Sequence, residues 1–199
     1  MDLSVVIPVC NEEESIGSLI NEITQALSDH YQHEIIVVDD GSKDNTLDVL
    51  LKIKQDLSTL RIVKHLKNSG QSTAVRTGIQ YASSAWIATL DGDGQNDPAD
   101  IPKLLKAYQE SSADNPKTMI VGHRAKRQDS LVKRLSSKIA NGIRASLLGD
   151  ATPDTGCGLK VFRRQDFLDL PSFDHMHRFL PALMLRNGGQ VVSVEVSHR

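Results

Sequence analysis

Trp86-Ile87-Ala88-Thr89-Leu90-Asp91-Gly92-Asp93 is the stretch that decides the fold. An apolar run of strand length stops abruptly in carboxylates, followed by Gly94, Gln95, Asn96 and Asp97-Pro98. Two carboxylates at the end of a rigid strand can ligate a hard cation that also grips phosphate oxygens. In open α/β sheets, ligands sit at that edge. Alone, the same residues also fit an acidic solvated turn, because Asp and Gly are common turn formers.

The same pattern recurs on either side. Leu3 to Val9 reads as a strand ending at Pro8 and Cys10, with Asn11 as N-cap and Glu12, Glu13 and Glu14 opening a helix that carries Ile16, Leu19, Ile20, Ile23 and Leu27. Ile35 to Val38 is a β-branched strand stopped by Asp39-Asp40-Gly41-Ser42, and a helix with Leu47, Leu50, Leu51, Ile53 and Leu57 follows. Arg61 to Val63 is a short strand, and Asn68-Ser69-Gly70-Gln71 leads into a helix with Ala74, Val75, Gly78 and Ile79. Beyond Asp93 come a helix with Ile101, Leu104, Leu105 and Tyr108, a strand at 119–121, strands at 157–162 and 190–196, and a helix at 179–186 between them. Strands alternating with helices predict an α/β fold, a mostly parallel sheet covered on both faces. Right-handed crossovers then bring the turns after Val9, Val38 and Leu90 to one edge. Like charges gathered there repel unless a cation or a donor-rich ligand lies among them.

Composition narrows the class. With 199 residues the chain is read as one domain, and a net charge of −2 points to neither nucleic acid nor disorder. Cys10 and Cys157 read as reduced thiols, with Cys157 a small packing residue, and the seven histidines form no metal-binding spacing. No run approaches the roughly 20 apolar residues needed to span a bilayer. Charge is uneven. Arg124, Lys126, Arg127, Lys133, Arg134, Lys138 and Arg144 meet only Asp129 between His123 and Gly149, giving +6 there and −8 elsewhere. Leu131, Leu135, Ile139, Ile143 and Leu147 predict a basic amphipathic helix at about 130–148, read either as membrane-facing or as packed on the sheet with a solvated face.

A dinucleotide fold would place G-x-G-x-x-G after the first strand, where the chain has Cys10-Asn11-Glu12-Glu13-Glu14, and a P-loop is absent. Phosphates are therefore expected to be held through a divalent cation on Asp91 and Asp93. The acids nearer the N-terminus accept hydrogen bonds from a uracil or guanine base or from sugar hydroxyls.

Four motifs in order carry a family resemblance: Ile7-Pro8-x-x-Asn11-Glu12, Val37-Val38-Asp39-Asp40-Gly41-Ser42-x-Asp44-x-Thr46, Asn68-x-Gly70, and Asp91-x-Asp93-x-Gln95-x-Asp97-Pro98. The chain resembles the family 2 glycosyltransferases with a GT-A nucleotide-sugar fold, a three-layer α/β/α arrangement, over its whole length, 1–199. Val121-Gly122-x-Arg124, Asp154-x-Gly156-Cys157-Gly158-Leu159-Lys160 and His177-Arg178-Phe179-Leu180-Pro181 are similar to the branch that acts on polyprenyl phosphates.

That resemblance implies an inverting transfer of a sugar from a nucleoside diphosphate, UDP in preference to GDP, to dolichyl or undecaprenyl phosphate on the cytoplasmic face of a membrane. It places Pro8, Glu12, Asp39, Asp40, Gly41, Ser42, Asn68, Gly70 and Asp91 around the nucleotide sugar. Asp91, Asp93 and Gln95 would hold Mg²⁺ or Mn²⁺, with Asp93 and Arg124 catalytic. Arg124, Arg127, Lys133 and Arg134 would meet the acceptor phosphate. Lys160 and Arg163 are read as phosphate ligands or solvent-exposed cations, and His177 and Arg178 as diphosphate contacts or surface residues. In the branch, the strand at Val194-x-Val196-x-His198-Arg199 is usually followed by a Gly-x-Ser-Lys-Tyr-like acceptor loop; that loop and any membrane segment after it are expected to lie outside these 199 residues. A hydroxyl acceptor and a non-catalytic nucleotide-sugar-binding module are the competing readings.

Overall fold

The computed structural model describes residues 2–27, 31–113, 115–124, 152–197 and 199. The basic segment at 130–148, with Arg127, Lys133 and Arg134, lies outside them, as does His198. Seven strands form one sheet: β1 (Leu3–Val9), β2 (His33–Asp39), β3 (Leu60–Lys64), β4 (Trp86–Thr89), β5 (Thr118–His123), β6 (Lys160–Arg163) and β7 (Gln190–Glu195). Their order is β3-β2-β1-β4-β6-β5-β7. All pair in parallel except β6, which runs against both β4 and β5.

Among the described residues six helices flank the sheet: α1 (Ile16–Leu27), α2 (Thr46–Asp56), α3 (Gln71–Tyr81), α4 (Ile101–Ser111), α5 (Arg164–Leu168) and α6 (Leu180–Arg186), with single 3-10 turns at Pro98–Asp100 and Met176–Arg178. Alternation along each strand splits the core in two. Val5, Ile7, Ile35 and Val37 pack under Leu19, Ile23, Leu50 and Leu104 of α1, α2 and α4. Val6, Ile36 and Val38 pack on the other face with Ala74 and Ile79 of α3, Phe167 of α5 and Met184 of α6. Every residue of β1 is buried, as a central strand covered on both faces requires. Among the described residues no helix is long and apolar enough to cross a membrane.

Several boundaries differ from the sequence reading. Asn11 is not an N-cap: it sits at φ +60, and α1 starts only at Ile16. Asn tolerates the left-handed region better than most residues, and its Oδ1 accepts from the Lys43 amide at 2.8 Å, tying the turn after β1 to the turn after β2. Leu51 is exposed rather than part of the α2 stripe. Residues 157–159 are irregular, with a bend at Gly158, and β6 begins only at Lys160.

Pro8 explains where the sheet opens. Proline in a central strand removes a ladder donor. Here pairing of β1 with β4 ends at Val6–Thr89, with one last bond from the Leu90 amide to Val6 O, while pairing with β2 continues to Val9–Asp39. Pro8 shares the parity of Val6, so its missing N–H falls on the side where β4 has already turned away. A crevice results between β1 and β4, where the strand order reverses, the usual ligand position in such sheets.

Glu34, at the start of β2, ties the far edge together. Its Oε1 accepts from Ser4 Oγ (2.6 Å), the Ser83 amide (2.7 Å) and Ser83 Oγ (2.6 Å), and its Oε2 from Arg61 Nη1 (2.8 Å). Burial pushes this carboxyl up, but the bonds from Ser4, Ser83 and Arg61 outweigh it and hold the pKa at about 2. A depressed carboxylate contributes stability that is complete above its unfolded value, near 4.5, and lost as pH falls toward 2. Glu34→Gln is expected to flatten the stability–pH curve in that window, read as urea midpoints from pH 6 to pH 2.5. An unchanged acid slope would refute the assignment.

Candidate active site

The crevice is a cleft of about 400 Å³ lined by Pro8, Cys10 and Glu12 from the end of β1, Asp40 from the end of β2, Asn68, Gly70 and Gln71 at the start of α3, and Asp91 and Asp93 beyond β4. Six of the nine residues expected around a nucleotide sugar meet here: Pro8, Glu12, Asp40, Asn68, Gly70 and Asp91. Asp39, Gly41 and Ser42 do not line the cleft.

The Asp39–Asp40 pair divides by strand alternation. Asp39 shares the side of Val37, beneath α1 and α2, is fully buried and accepts the Ser42 amide on Oδ1 at 2.8 Å. Asp40 faces the other way, into the cleft. Its Oδ1 accepts from the Ser69 amide (2.9 Å) and His65 Nδ1 (2.7 Å), and its Oδ2 from the Gly70 amide (2.8 Å). A carboxylate offers about four lone-pair sites, so Asp40 fastens the 68–70 loop and keeps one acceptor position for a ligand donor. Gly41, at φ +73, lies so close to that loop that a Cβ would stand 2.6 Å from Asn68 N. Ser42 Oγ accepts the Asn11 amide at 2.9 Å. Gly41 and Ser42 therefore build the wall from behind.

Asp91 is the most constrained acid. Burial pushes its carboxyl up, Lys160 draws it down, and the neighbouring Asp93 pushes it up again. Gln71 Nε2, at the first turn of α3, donates to its Oδ1 at 2.8 Å. Its carboxylate lies over Gly158, where a Cβ would approach Oδ1 to 2.7 Å and the other carboxylate atoms more closely. Thr89 Oγ1 donates to Gly158 O at 2.7 Å, so the turn cannot retreat freely. Gly158→Ala is therefore expected to push Asp91 aside, weakening divalent-cation-dependent nucleotide binding at least about tenfold and costing about 1–3 kcal/mol of stability. Calorimetry beside a thermal melt checks both, and wild-type affinity would disprove the crowding.

Asp91 and Asp93 fit a divalent cation by their chemistry: Asp93 raises the cost of ionising Asp91, and a cation beside them relieves it. Among the described residues no three His, Cys, Asp or Glu side chains cluster closely enough to form a protein cage. Mg²⁺ commonly uses one or two carboxylates and completes its shell with substrate phosphates, so the pair suffices. Gln95 lies on the exposed turn, its amide donating to Asp93 Oδ1 at 3.1 Å, and does not line the cleft.

Arg124, expected to meet the acceptor phosphate, is engaged by a carboxylate. Its Nε and Nη2 donate to Asp154 Oδ2 (2.7 Å) and Oδ1 (3.0 Å), a two-pronged pair with side chains 9% and 7% exposed. This pairing gives the guanidinium a structural task, holding the turn before β6 against the end of β5. Lys160, read as a phosphate ligand or an exposed cation, is buried. It donates to Cys157 O, with Asp91 and Asp154 in its field. Burial pushes its ammonium down while those acids and Cys157 raise it. Arg163 instead stacks over Trp86 at 5.2 Å, on the half-buried ring that meets Tyr108 edge-on. Gln71, Cys10 and Asp154 carry no site role in the sequence reading; the signals there were Asp154 at the head of a motif and Gln71 at a helix start after Gly70.

Residues 4–170 match the profile described as Glycosyl transferase family 2, and the chain belongs to that family. It is 37% identical over 185 residues to a dodecaprenyl-phosphate galacturonate synthase of Rhizobium johnstonii, covering 92% of this chain and 54% of that one. An undecaprenyl-phosphate 4-deoxy-4-formamido-L-arabinose transferase of Serratia proteamaculans is 35% identical over 199 residues, covering 98% and 59%. The chain thus spans little more than half the length of these relatives. In fold it is similar to the glucosyl-3-phosphoglycerate synthase of Mycobacterium tuberculosis, crystallised with Mg²⁺ and UDP and with Mn²⁺ and UDP-glucose. The TM-scores are 0.71 and 0.70 at 20% and 21% identity, over all of this chain and 71% of that one. The fold is therefore GT-A, as the motifs implied.

Proposed function

We propose that residues 1–199 form one catalytic domain that transfers a sugar, with inversion, from a nucleoside-diphosphate sugar to a polyprenyl phosphate on the cytoplasmic face of a membrane. The observation that carries this reading is the meeting of the Asp91–Asp93 pair with a second, cation-lined cavity through the shared residue Asp91. The polyprenyl-phosphate relatives support the acceptor class, and the UDP-bound fold neighbours support UDP over GDP.

In this scheme Glu12, Asp40 and Asn68 accept and donate to the nucleoside, and Gln71 orients Asp91. Mg²⁺ or Mn²⁺ held by Asp91 and Asp93, with Gln95 beside them, supplies charge neutralisation to the leaving diphosphate. The bond from the sugar C1 to the donor phosphate breaks, and a bond from an acceptor phosphate oxygen to C1 forms on the opposite face. A phosphate monoester, with a second pKa of about 6, arrives as the dianion; it has no proton to lose, so no general base is required. His177 is held in place by Ser72, whose Oγ accepts its backbone N–H (3.2 Å) and pairs with its Nδ1 (2.7 Å). Burial, with Arg178 and Lys160 nearby, lowers its pKa to about 4, so the ring is neutral near pH 7. Arg124 acts by holding the 154–158 turn, while Arg127, Lys133 and Arg134 belong to the basic segment that meets the membrane.

Calorimetry with UDP and GDP, in Mn²⁺ and then in EDTA, tests the donor half. Transfer of labelled sugar to undecaprenyl phosphate, with the anomeric configuration of the product, tests the rest. Metal-independent binding or a retained configuration would overturn the scheme.

A further inference from the structure

His65 stands one residue beyond β3, behind the cleft rather than on its wall. Its backbone N–H donates to Asp39 O at 2.8 Å, which carries the pairing of β3 with β2 one step further. The ring is held at both ends. Nδ1 lies 2.7 Å from Asp40 Oδ1, and Nε2 lies 3.0 Å from Thr77 Oγ1 in the middle of α3. A carboxylate only accepts, so Nδ1 is the donating nitrogen, and the Thr77 hydroxyl serves Nε2. Gly78, next to Thr77, lets α3 lie close on the sheet: a Cβ there would stand 3.1 Å from Val38 Cγ2. The side chains of His65 and Asp40 are only 15% and 5% exposed, so water is poorly placed to replace the bond between them.

These bonds use the Asp40 carboxylate unevenly. Oδ1 accepts from both His65 and the Ser69 amide, which takes up its two lone pairs, whereas the Gly70 amide takes one of the two on Oδ2. The lone pair left for a ligand is therefore on Oδ2, and its direction follows from the bonds that fix Oδ1. Ser69 and Gly70 donate from a loop whose Asn68 and Gly70 line the cleft, so those donors move with the loop. His65 donates from firmer ground, fastened to β2 through its backbone and to α3 through its far nitrogen.

We infer that His65 is a positioning residue for the nucleotide: clamped between Asp39 O and Thr77, it fixes the rotation of the Asp40 carboxylate so that Oδ2 meets a donor group of the nucleoside. The inference rests on the proposed function and adds to it a residue that touches neither the donor nor the cation. An acceptor set in place beforehand spares the complex the cost of ordering it on binding.

Two amide substitutions separate this role from packing. Asparagine places its side-chain nitrogen where Nδ1 stands, and glutamine places its own where Nε2 stands. His65→Asn thus keeps the bond to Asp40 and gives up Thr77, while His65→Gln keeps Thr77 and gives up Asp40. UDP is titrated by calorimetry into the full chain and each variant in Mn²⁺, and half-saturating Mn²⁺ is read at saturating UDP. His65→Gln is expected to weaken UDP about tenfold, the loss of one hydrogen bond to a charged group. Half-saturating Mn²⁺ should not move, because Asp91 and Asp93 stand outside this chain of bonds. His65→Asn is expected to stay within about threefold of wild type, and so is Thr77→Val, which removes the far anchor and leaves the imidazole in place. UDP affinity untouched in His65→Gln, a loss as large in His65→Asn or Thr77→Val, or a parallel loss of Mn²⁺ affinity overturns the inference and leaves the proposed function standing. A wild-type chain that binds no UDP in Mn²⁺ overturns the proposed function and this inference with it.

Discussion

Asp93→Asn is expected to lower sugar transfer about a thousandfold, since losing one of the two carboxylates proposed to hold the cation would remove roughly 4 kcal/mol of transition-state stabilisation at 1.36 kcal/mol per decade. The same substitution should leave the fold almost untouched. Asp93 is exposed, and the bond it accepts from the Gln95 backbone amide at 3.1 Å is open to an asparagine oxygen as well. Surface changes of this kind stay within about 0.5 kcal/mol, or a shift of about 2 °C for a chain of this size. The contrast is the test. Asp91→Asn is a poorer probe because Asp91 also lies in the field of the buried Lys160, so catalysis and stability change together. A thermal melt beside an initial-rate assay at saturating Mn²⁺ reads both quantities. Near-wild-type turnover of Asp93→Asn would mean that Asp93 does not ligate a required cation.

Asp154→Ala should act in the opposite sense, on stability first. It strands Arg124 with its side chain only 9% exposed. Breaking one partner of a buried pair costs about 3–5 kcal/mol, which corresponds to a fall in Tm on the order of 10 °C. Asp91 also lies in the field of Arg124, which places the expected loss toward the lower end of that range. Replacing both partners by apolar residues, Arg124→Met with Asp154→Leu, removes the uncompensated charge and should recover much of the loss. If the double variant is no more stable than the single one, the pair is not the buried latch described above.

Strands β1, β2 and β4 were legible because the apolar runs that end at Val9, Val38 and Leu90 each stop in polar and acidic residues, and parallel crossovers oblige those stops to share an edge. Pairings distant in sequence were not. Arg124 and Asp154 are 30 positions apart, and nothing in either neighbourhood marks a fork meeting a carboxylate. Lys160 looked like any cation on a strand until β6 proved to lie between β4 and β5, which buries it. Asp39 and Asp40 are identical in chemistry; only the phase of β2 decides which one sees the cleft. Asn11 had the residue type of a cap, but its side chain is drawn to the Lys43 amide on another turn, a tertiary contact that local propensity cannot anticipate.

The reversed direction of β6 has a topological result. β5 is parallel to β4 and so leaves the sheet at the ligand edge, and β6, running the other way, enters at that same edge. Arg124 and Thr152, the described residues on either side of the sequence that carries Lys126, Arg127, Lys133, Arg134, Lys138 and Arg144, therefore both stand at the ligand edge. A stretch of chain tied at two points has less freedom to leave its anchors than a tail tied at one.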